Sequence, residues 1–301
     1  MRKNWLVKLE RQTIDQKKII RKADITMADN KRKATKNEKM SMKENERLLI
    51  EKFKTIKPVE KSYEEQAKRR WKTVAKPLFS LGKLEDAVIR MAGIRREADF
   101  EIKKKGLLIF CADNGVVSEG VTQTGQEVTA VVAENFLEGT TTCCVMCRQC
   151  GAELFPVDVG MVTDTKVRTD LKVAYGTRNM TREPAMTRDQ AIRGIEAGIA
   201  MAEELKDKGY QVLATGEMGI GNTTTSSAVA AVLLGKPVED MTGRGAGLTS
   251  EGLVRKINAI KKAIALNNPD RSDAIDVLAK VGGLDIAGMA GVFIGGAALG
   301  M

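Results

Sequence analysis

The sequence predicts an α/β fold in which helices cover both faces of a parallel sheet. Three short apolar runs, GLLIFCA, ELFPVDV and YQVLAT, are separated by longer stretches with helical periodicity. Each run ends in acidic, amide or glycine residues, as buried strands do where they enter turns. Strands that alternate with longer helices form parallel sheets, because a crossover helix has to return the chain to the starting edge. We therefore expect a three-layer, Rossmann-like core preceded by an N-terminal helical segment.

The segments before the core are predicted from composition and periodicity. Residues 1–41 are rich in Lys, Asn, Asp and Thr with little apolar periodicity, which predicts a basic, disordered tail. Residues 42–105 are predicted to be helical, with one helix in SYEEQAKRRWKTVAKP and another in SLGKLEDAVIRMAGI. Ser62 is the expected N-cap of the first, and Glu65 its capping-box partner. Residues 106–301 then form the α/β core.

Helices are expected after each strand of the core. GQEVTAVVAENFLEGTTTCCVMCRQCGA is predicted to be helical after the first strand, and TRDQAIRGIEAGIAMAEELKDKG after the second, with Thr187 as its N-cap. TTTSSAVAAVLLG and LTSEGLVRKINAIKKAIALNN follow the third strand. The apolar stretch GGLDIAGMAGVFIGGAALGM has an uncharged part, residues 286–301, that is shorter than the roughly 20 residues needed to cross a bilayer. A close-packed core helix is therefore expected there, and no membrane partner.

The charge of the chain is unevenly distributed. Its 301 residues carry 49 Lys and Arg against 39 Asp and Glu, a formal net charge of +10. Residues 1–76 alone have a net charge of +13, so the remainder has −3. A basic tail can bind polyanions, but the body offers no basic surface interleaved with aromatic residues. We therefore expect no nucleic acid as the main partner.

The cysteines indicate a reducing compartment. Five cysteines are an odd number, and four lie in CCVMCRQC, which does not suit a disulfide framework. The first 40 residues hold no apolar stretch of signal-peptide length, so a cytoplasmic location is expected. Cys143, Cys147 and Cys150 fall on one helical face, which predicts buried core cysteines. A metal site is not expected, because a fourth ligand at iron–sulfur spacing is missing and the chain has no histidine.

Polar motifs stand at the end of each predicted strand. They are DNG at residues 113–115, DVG at residues 158–160 and GEMG at residues 216–219. Ligands of open parallel sheets bind beyond the carboxyl ends of the strands. The three motifs are therefore expected to converge on one site.

The third motif continues into GEMGIGNTTTSS, which is close to a phosphate-binding P-loop. Gly216, Gly221 and Thr223 match G-x-x-x-x-G-K-[ST], but Asn222 stands where the lysine belongs. Two interpretations remain open from composition: an anion site at the start of a helix, or a tight turn capped by Asn222. Glu217 favours the first, because a carboxylate among glycines is costly to bury without a function.

A second glycine cluster, TGRGAGLTSEG, follows. Its glycines alternate over residues 243–247, which does not fit G-x-G-x-x-G and argues against a Rossmann nicotinamide site. Lys256, on the next predicted helix, is a candidate for the missing positive charge. Spacing alone favours a solvated lysine there, because three other basic residues share that helix.

Taken together, the motifs resemble the nicotinate-nucleotide:dimethylbenzimidazole phosphoribosyltransferase family over about residues 60–301. The matching segments are FCADNGVVSEGVTQTGQEVTA, FPVDVGM, YGTRNMTREPAMTRDQA, GEMGIGNTTTSS, GRGAGL and VGGLDIAGMAGVFIGGA. The resemblance implies transfer of phosphoribose from nicotinate mononucleotide to 5,6-dimethylbenzimidazole or a related azole. The products would be nicotinate and α-ribazole 5′-phosphate, in cobalamin nucleotide-loop assembly. No metal or cofactor is implied, and a homodimer is expected.

The resemblance also assigns roles to residues. Glu217, close to the ribose, and Lys256, beside the phosphate, are the implied catalytic residues. The implied nucleotide- and phosphate-binding residues are Gly219, Gly221, Asn222, Thr223, Gly243 and Gly245. The implied base pocket contains Asp113, Asn114, Thr124 and Val132. Asn114 stands where many members have His, and Thr124 and Val132 stand where some have Ser and Gln, so the preferred azole is not predicted.

One motif of the family has no counterpart. Members continue beyond the equivalent of Met301 to an L-G-E-G motif whose Glu is the favoured general base, and this sequence contains no L-G-E-G. We therefore expect a chain shorter than its family, with weak or no turnover. Two hypotheses stay open: an enzyme of the family, or a catalytically impaired fragment that binds nucleotide or partner subunits. A P-loop NTPase is a third, weakened by Asn222.

Overall fold

The structure, a computed structural model, describes residues 44–301. The chain divides into two compact units, Met1–Leu48 and Leu49–Met301, and the sheet and the candidate site belong to the second. The predicted tail of residues 1–41 lies outside the described residues. Residues 44–55 form the first helix, α1. The boundaries proposed at residues 41 and 105 stay a prediction.

Two further helices, α2 (Lys61–Thr73) and α3 (Lys83–Arg95), precede the sheet. The predicted cap of α2 was wrong: its N-cap is Glu60, whose carboxylate accepts from the backbone N–H and the hydroxyl of Ser62 at 3.4 and 3.2 Å. Glu65 pairs with Lys68 at 2.7 Å instead of reaching back to a cap. Because the Glu60 side chain caps the backbone N–H of Ser62, the helix begins earlier than the Ser-x-x-Glu spacing indicates.

The core sheet has three parallel strands in the order β2-β1-β3. They are β1 (Lys105–Ala112), β2 (Ala152–Gly160) and β3 (Val212–Met218). In the register of the sheet, Phe110 of β1 stands opposite Val157 on one side and Glu217 on the other. The carboxyl ends of the strands therefore lie side by side, and the predicted α/β class with a parallel sheet is confirmed.

Helices cover the two faces of this sheet. On one face lie α4 (Glu127–Glu138) and α5 (Thr142–Cys150), which pack on Ile109 and Cys111. On the other lie α6 (Arg188–Asp207) and α11 (Leu284–Leu299), which pack on Leu108 and Phe110. The remaining helices are α7 (Asn222–Leu234), α8 (Val238–Met241), α9 (Ser250–Asn267) and α10 (Ala274–Val281). Together these layers match the predicted three-layer core.

The helices α6 and α11 pack at backbone distance. A Cβ added to Gly198 of α6 would overlap the carbonyl oxygen of Gly288, and one added to Gly291 would overlap that of Ile195. Small residues on both helices therefore permit a contact that any side chain would obstruct. This confirms the predicted close-packed core helix. Among the described residues, no helix is both long and apolar enough to cross a membrane.

The cysteine-rich stretch is helical, as predicted, and forms two helices, because Gly139 at φ +73° ends α4 and Thr141 caps α5 by accepting from the backbone N–H of Cys144 at 3.3 Å. The predicted buried face of Cys143, Cys147 and Cys150 was wrong. Cys144 and Cys147 are buried, whereas Cys150 is exposed. The start of α5 at Thr142 sets which cysteines face the sheet.

Candidate active site

The three strand-end motifs converge, as predicted. β1 continues directly into Asp113 and Asn114, both fully buried, β2 carries the buried Asp158 near its end, and β3 carries Glu217 as its last residue but one. Cys111 of β1 stands opposite Asp158 and opposite Met218, the neighbour of Glu217. This edge of the sheet therefore concentrates carboxylates, two of which are inaccessible to solvent.

The buried aspartates of β1 and β2 are held by backbone N–H groups. Asp113 Oδ2 accepts from Val162 at 2.9 Å, and Asp158 Oδ1 accepts from Met161 at 2.8 Å. Burial raises the pKa of both carboxyls, and these hydrogen bonds oppose it only in part. Asp158 also pairs with Lys172 at 3.1 Å. Both side chains therefore have partners that fix the shape of the site.

The glycine loop between β3 and α7 packs directly on the end of β1. A Cβ on Gly219 would overlap the carbonyl oxygen of Ala112, and Gly221 has φ +96°. Gly221, not Asn222, is the N-cap of α7, so the capping interpretation of Asn222 was wrong. Asn222 begins the helix, and its amide Nδ2 donates to Glu217 Oε2. The loop therefore requires glycine for both a close approach and a left-handed backbone.

Lys256 lies beneath the second glycine loop. Its side chain is 1% exposed, which contradicts the solvated-helix interpretation of its spacing. The ammonium donates to Thr223 Oγ1 at 2.7 Å and to the carbonyl of Gly243 at 3.2 Å. Within residues 44–301 no carboxylate forms an ion pair with it. Burial lowers the pKa of this lysine, because a charged ammonium is destabilised when it is removed from water. An anion bound beside it would offset that destabilisation.

The second loop is exposed above this lysine. Gly243 has open space around it, and a Cβ on Gly245, at φ +57°, would lie 3.4 Å from Lys256 Nζ. Gln123 donates to the carbonyl of Gly247, which ties the loop to the segment before α4. The predicted anchor residues of both loops, Thr223 and Gly245, are therefore brought together around one ammonium.

Glu217 is exposed at the mouth of the site. The protein atoms around it nevertheless desolvate the carboxylate and raise its pKa. Asn222 donates to one of its oxygens, which fixes its direction. A carboxylate with a raised pKa, held by an amide at an open edge, has the properties of a general base.

The predicted base-pocket residues are separated in the structure. Asn114 is fully buried below the glycine loop, whereas Thr124 is exposed in the segment before α4. The two are linked through Gln126, whose amide donates to the carbonyl of Asn114 at 3.2 Å. Val132 packs within the cluster around Ile109 and Cys111, under the sheet. Thr124 therefore lies two residues from a side chain that contacts Asn114, and Val132 belongs to the core under the sheet.

A further segment, residues 173–186, crosses the carboxyl end of the sheet. Thr177 N–H donates to the carbonyl of Asp113 at 3.0 Å, and its hydroxyl accepts from Gly115 N–H at 3.2 Å. Asn179 donates to Glu119 at 2.6 Å. The motif GTRNM therefore forms part of the site wall, although it was not among the predicted site residues.

Sequence reasoning missed Asp285. This residue lies in the first turn of α11, is fully buried and has no ion-pair partner among the described residues. Its Oδ1 accepts from Ile286 N–H at 2.9 Å. Burial, and next the charge of Glu217, raise its pKa to about 7. The available signal was a single charge inside an apolar, glycine-rich run, the same signal that singled out Glu217.

A metal centre is not formed by these groups. Within residues 44–301 no three acidic, cysteine or histidine side chains are placed to hold a metal ion. The recognisable features are an ammonium between two glycine loops, an oriented carboxylate, and a polar wall from three strands. This combination suits an anionic ligand with a neighbouring proton-transfer step.

Comparison with known proteins agrees with this geometry. A family model described as Phosphoribosyltransferase matches residues 56–301. A nicotinate-nucleotide–dimethylbenzimidazole phosphoribosyltransferase of Acetivibrio thermocellus is 49% identical over 251 residues, covering 82% of this chain and 72% of the relative. The chain belongs to this family. The enzyme of that name from Clostridium acetobutylicum is 48% identical over 247 residues, covering 81% of this chain and 70% of its own.

The fold agrees with the family as well. The crystal structure of CobT from Thermus thermophilus superposes with a TM-score of 0.75 at 36% identity, covering 80% of this chain and 73% of that chain. The chain is therefore a member of a family of pentosyltransferases, the nicotinate-nucleotide–dimethylbenzimidazole phosphoribosyltransferases.

Proposed function

We propose that this protein transfers phosphoribose from nicotinate mononucleotide to 5,6-dimethylbenzimidazole or a related azole, in cobalamin nucleotide-loop assembly. The observation that carries the proposal is the ammonium of Lys256. It is buried, lacks a carboxylate partner among residues 44–301, and donates to the exposed Thr223 and to the carbonyl of the exposed Gly243. A phosphate monoester is the anion that glycine loops at helix starts bind in proteins.

The donor would lie across the two loops. Its phosphate would accept from Lys256, from the Thr223 hydroxyl and from backbone N–H groups at the start of α7. Its ribose would then point towards Glu217, because Asn222 in the first turn of α7 holds that carboxylate. The phosphate and the carboxylate thus bracket the anomeric carbon.

The chemistry then balances with the groups present. The unprotonated azole nitrogen attacks the anomeric carbon, and the bond from that carbon to the pyridinium nitrogen breaks with its electron pair leaving on nicotinate. The other azole nitrogen loses its proton to Glu217. Holding the two reactants together supplies much of the acceleration in such a transfer, and a general base typically adds about 10²–10⁴-fold.

The test combines binding with product analysis. Calorimetry of the whole chain with nicotinate mononucleotide should show a single site, and adding dimethylbenzimidazole should release nicotinate and α-ribazole 5′-phosphate in equal amounts. Nicotinate released without the azole would indicate hydrolysis rather than transfer. A chain that binds no nicotinate mononucleotide would overturn the proposal. Binding without either product would favour the nucleotide-binding fragment.

Two finer proposals accompany this function. We propose a cytoplasmic location, supported by the cysteine content, with five thiols that are all unpaired. We also propose a homodimer, which light scattering on the purified chain would test. A monomer at micromolar concentration would contradict it.

A further inference from the structure

A buried hydroxyl on α4 is hydrogen-bonded to the glycine loop between β3 and α7. It belongs to Thr129, in the first turn of α4, whose Oγ1 accepts from the backbone N–H of Ile220 at 3.1 Å. Thr129 is 0% exposed, so its hydroxyl is shielded from water. Removing an acceptor in such surroundings leaves a donor without a partner, which costs more than the loss of an exposed hydrogen bond. The contact is therefore suited to holding the loop in one place.

Ile220 is the middle residue of that loop. It stands between Glu217 and Asn222, whose side chains are hydrogen-bonded to each other. The residue before it already packs on the end of β1, since a Cβ on Gly219 would overlap the carbonyl oxygen of Ala112. The N–H of Ile220 gives the loop a second attachment, to α4 rather than to β1. The two attachments together restrict the segment that joins the candidate base to the start of α7.

Other buried hydroxyls close to the site are used within their own helix. Thr225 and Ser227 of α7 each donate to a backbone carbonyl about one turn earlier, both at 2.9 Å. Such bonds are local and position nothing outside the helix. Thr129 instead accepts from a backbone group 91 residues further along the chain. Its hydroxyl therefore joins two elements that would otherwise meet only through apolar packing.

We propose that Thr129 is a positioning residue of the reaction: its hydroxyl holds the loop that joins Glu217 to Asn222, and so fixes where the general base and the start of α7 lie. The inference rests on the proposed function and deepens it. Without the hydroxyl, the loop keeps its glycines but loses its attachment to α4. A displacement of about 1 Å at reacting groups can lower a rate about 100-fold, so Thr129 acts on the reaction without contacting the substrate.

Two substitutions separate the hydroxyl of Thr129 from its methyl group. Thr129→Val has nearly the same volume but no acceptor, so the rate of nicotinate release should fall about 10- to 100-fold. Thr129→Ser keeps the hydroxyl and loses a buried methyl, so it should unfold at a lower urea concentration and still release nicotinate at a rate close to that of the wild type. A purely structural role would make the rate follow the stability in both variants, and that result would overturn the proposal.

Phe136→Leu is the matched control on the same helix. Phe136 is buried in the cluster formed with Ile109 and Cys111, on the face of α4 that packs on the sheet. Its leucine variant loses packing but keeps the hydroxyl of Thr129. It should lower the urea midpoint and leave the rate of nicotinate release unchanged. A loss of rate equal to that of Thr129→Val would show that any weakening of α4 has the same effect, which would overturn the proposal.

Amide hydrogen exchange tests the contact without turnover. The N–H of Ile220 should exchange slowly in the wild type and in Thr129→Ser, and faster in Thr129→Val. The amides in the centre of β1 should stay equally protected in all three proteins. Unchanged exchange of Ile220 in Thr129→Val would overturn the proposal.

The outcomes separate this inference from the proposed function. Turnover by the wild type with an undiminished rate in Thr129→Val would support the reaction and remove the role of Thr129. If the wild type binds no nicotinate mononucleotide, the proposed function fails, and the exchange of Ile220 alone decides whether Thr129 holds the loop. If Thr129→Val does not fold, Thr129→Ser decides, because it should keep both the slow exchange and the turnover, and the loss of either would overturn the proposal.

Discussion

Lys256 Nζ lies 2.7 Å from Thr223 Oγ1, so α9 supplies the charge that the P-loop-like segment lacks at Asn222. A lysine 33 residues beyond Thr223 thus supplies the charge that a P-loop takes from the lysine just before its Ser or Thr. The ammonium is buried and has no carboxylate partner in residues 44–301. Its charge therefore lowers the stability of the folded, unliganded protein and favours the binding of an anion.

Lys256→Met should therefore act in opposite directions on stability and on binding. The free protein should melt higher at pH 7, by roughly 2–4 °C for each kcal/mol regained, and this gain should vanish at high pH. The sign follows from the lowered pKa: the charged form is penalised in the folded state, and the penalty disappears once the lysine loses its proton. Affinity for nicotinate mononucleotide should fall, and the loss should shrink as salt rises.

Lys262→Met is the matched control, because Lys262 is an exposed lysine of the same helix. It should leave binding unchanged. Calorimetry at two salt concentrations and melting curves across pH measure both effects. Equal affinity of Lys256→Met and wild type at low salt would remove Lys256 from the site.

Glu217→Gln should slow transfer strongly while nicotinate mononucleotide still binds. The amide keeps the shape but cannot accept the azole proton, so we expect a loss of about 10²–10⁴-fold in kcat. In the wild type, activity should rise with pH, with an acid limb above that of an ordinary glutamate, because desolvation raises the pKa of Glu217. Glu138→Gln, at the exposed end of α4, is the control. Undiminished turnover in Glu217→Gln would show that another group takes the proton.

Gly219→Ala should destabilise the fold, whereas Gly243→Ala should not. A methyl at position 219 would overlap the carbonyl oxygen of Ala112, and backbone cannot move aside cheaply. Overpacking of this kind typically costs about 1–3 kcal/mol. Gly243 has open space and no left-handed backbone, so its alanine variant is tolerated. Urea unfolding of both variants provides the comparison, and equal midpoints would contradict the close approach.

Gly291→Ala and Gly296→Ala test the contact between α6 and α11. Both glycines lie in the interior of α11, where alanine raises helix propensity by about 1 kcal/mol. Only at position 291 would the new methyl overlap backbone, the carbonyl of Ile195. We expect Gly291→Ala to lower the melting temperature and Gly296→Ala to leave it unchanged or raise it. A stabilised Gly291→Ala would show that the helices can separate.

The pattern of apolar and polar residues along the chain was sufficient to predict the sheet. The three apolar runs and their polar ends predicted the parallel strands and the convergence of Asp113, Asp158 and Glu217, because strand ends in such sheets necessarily meet. The close packing of α11 was also predictable. Small residues at helical spacing indicate a close helix–helix contact, and the uncharged stretch is too short for that contact to lie in a bilayer.

Burial was harder to predict where polar residues were involved. The spacing of Lys256 gave no indication that its ammonium is enclosed, because that depends on a loop folding over it. Asp285 was overlooked because a single carboxylate in an apolar helix becomes informative only once the helix start is placed beneath the glycine loop. The cap of α2 depended on Glu60, which local statistics do not favour over Ser62.

The central position of β1 has a consequence for how the protein folds. Lys105 pairs with Ala152 and also with Val212, so each half of the sheet closes a long loop of chain. Contacts between residues far apart in sequence slow folding, because loop entropy is lost before the strands can pair. The site contains residues from β1 through α11, so it is complete only after these long-range contacts have formed. Competence to bind nicotinate mononucleotide should therefore not precede the pairing of the sheet during refolding.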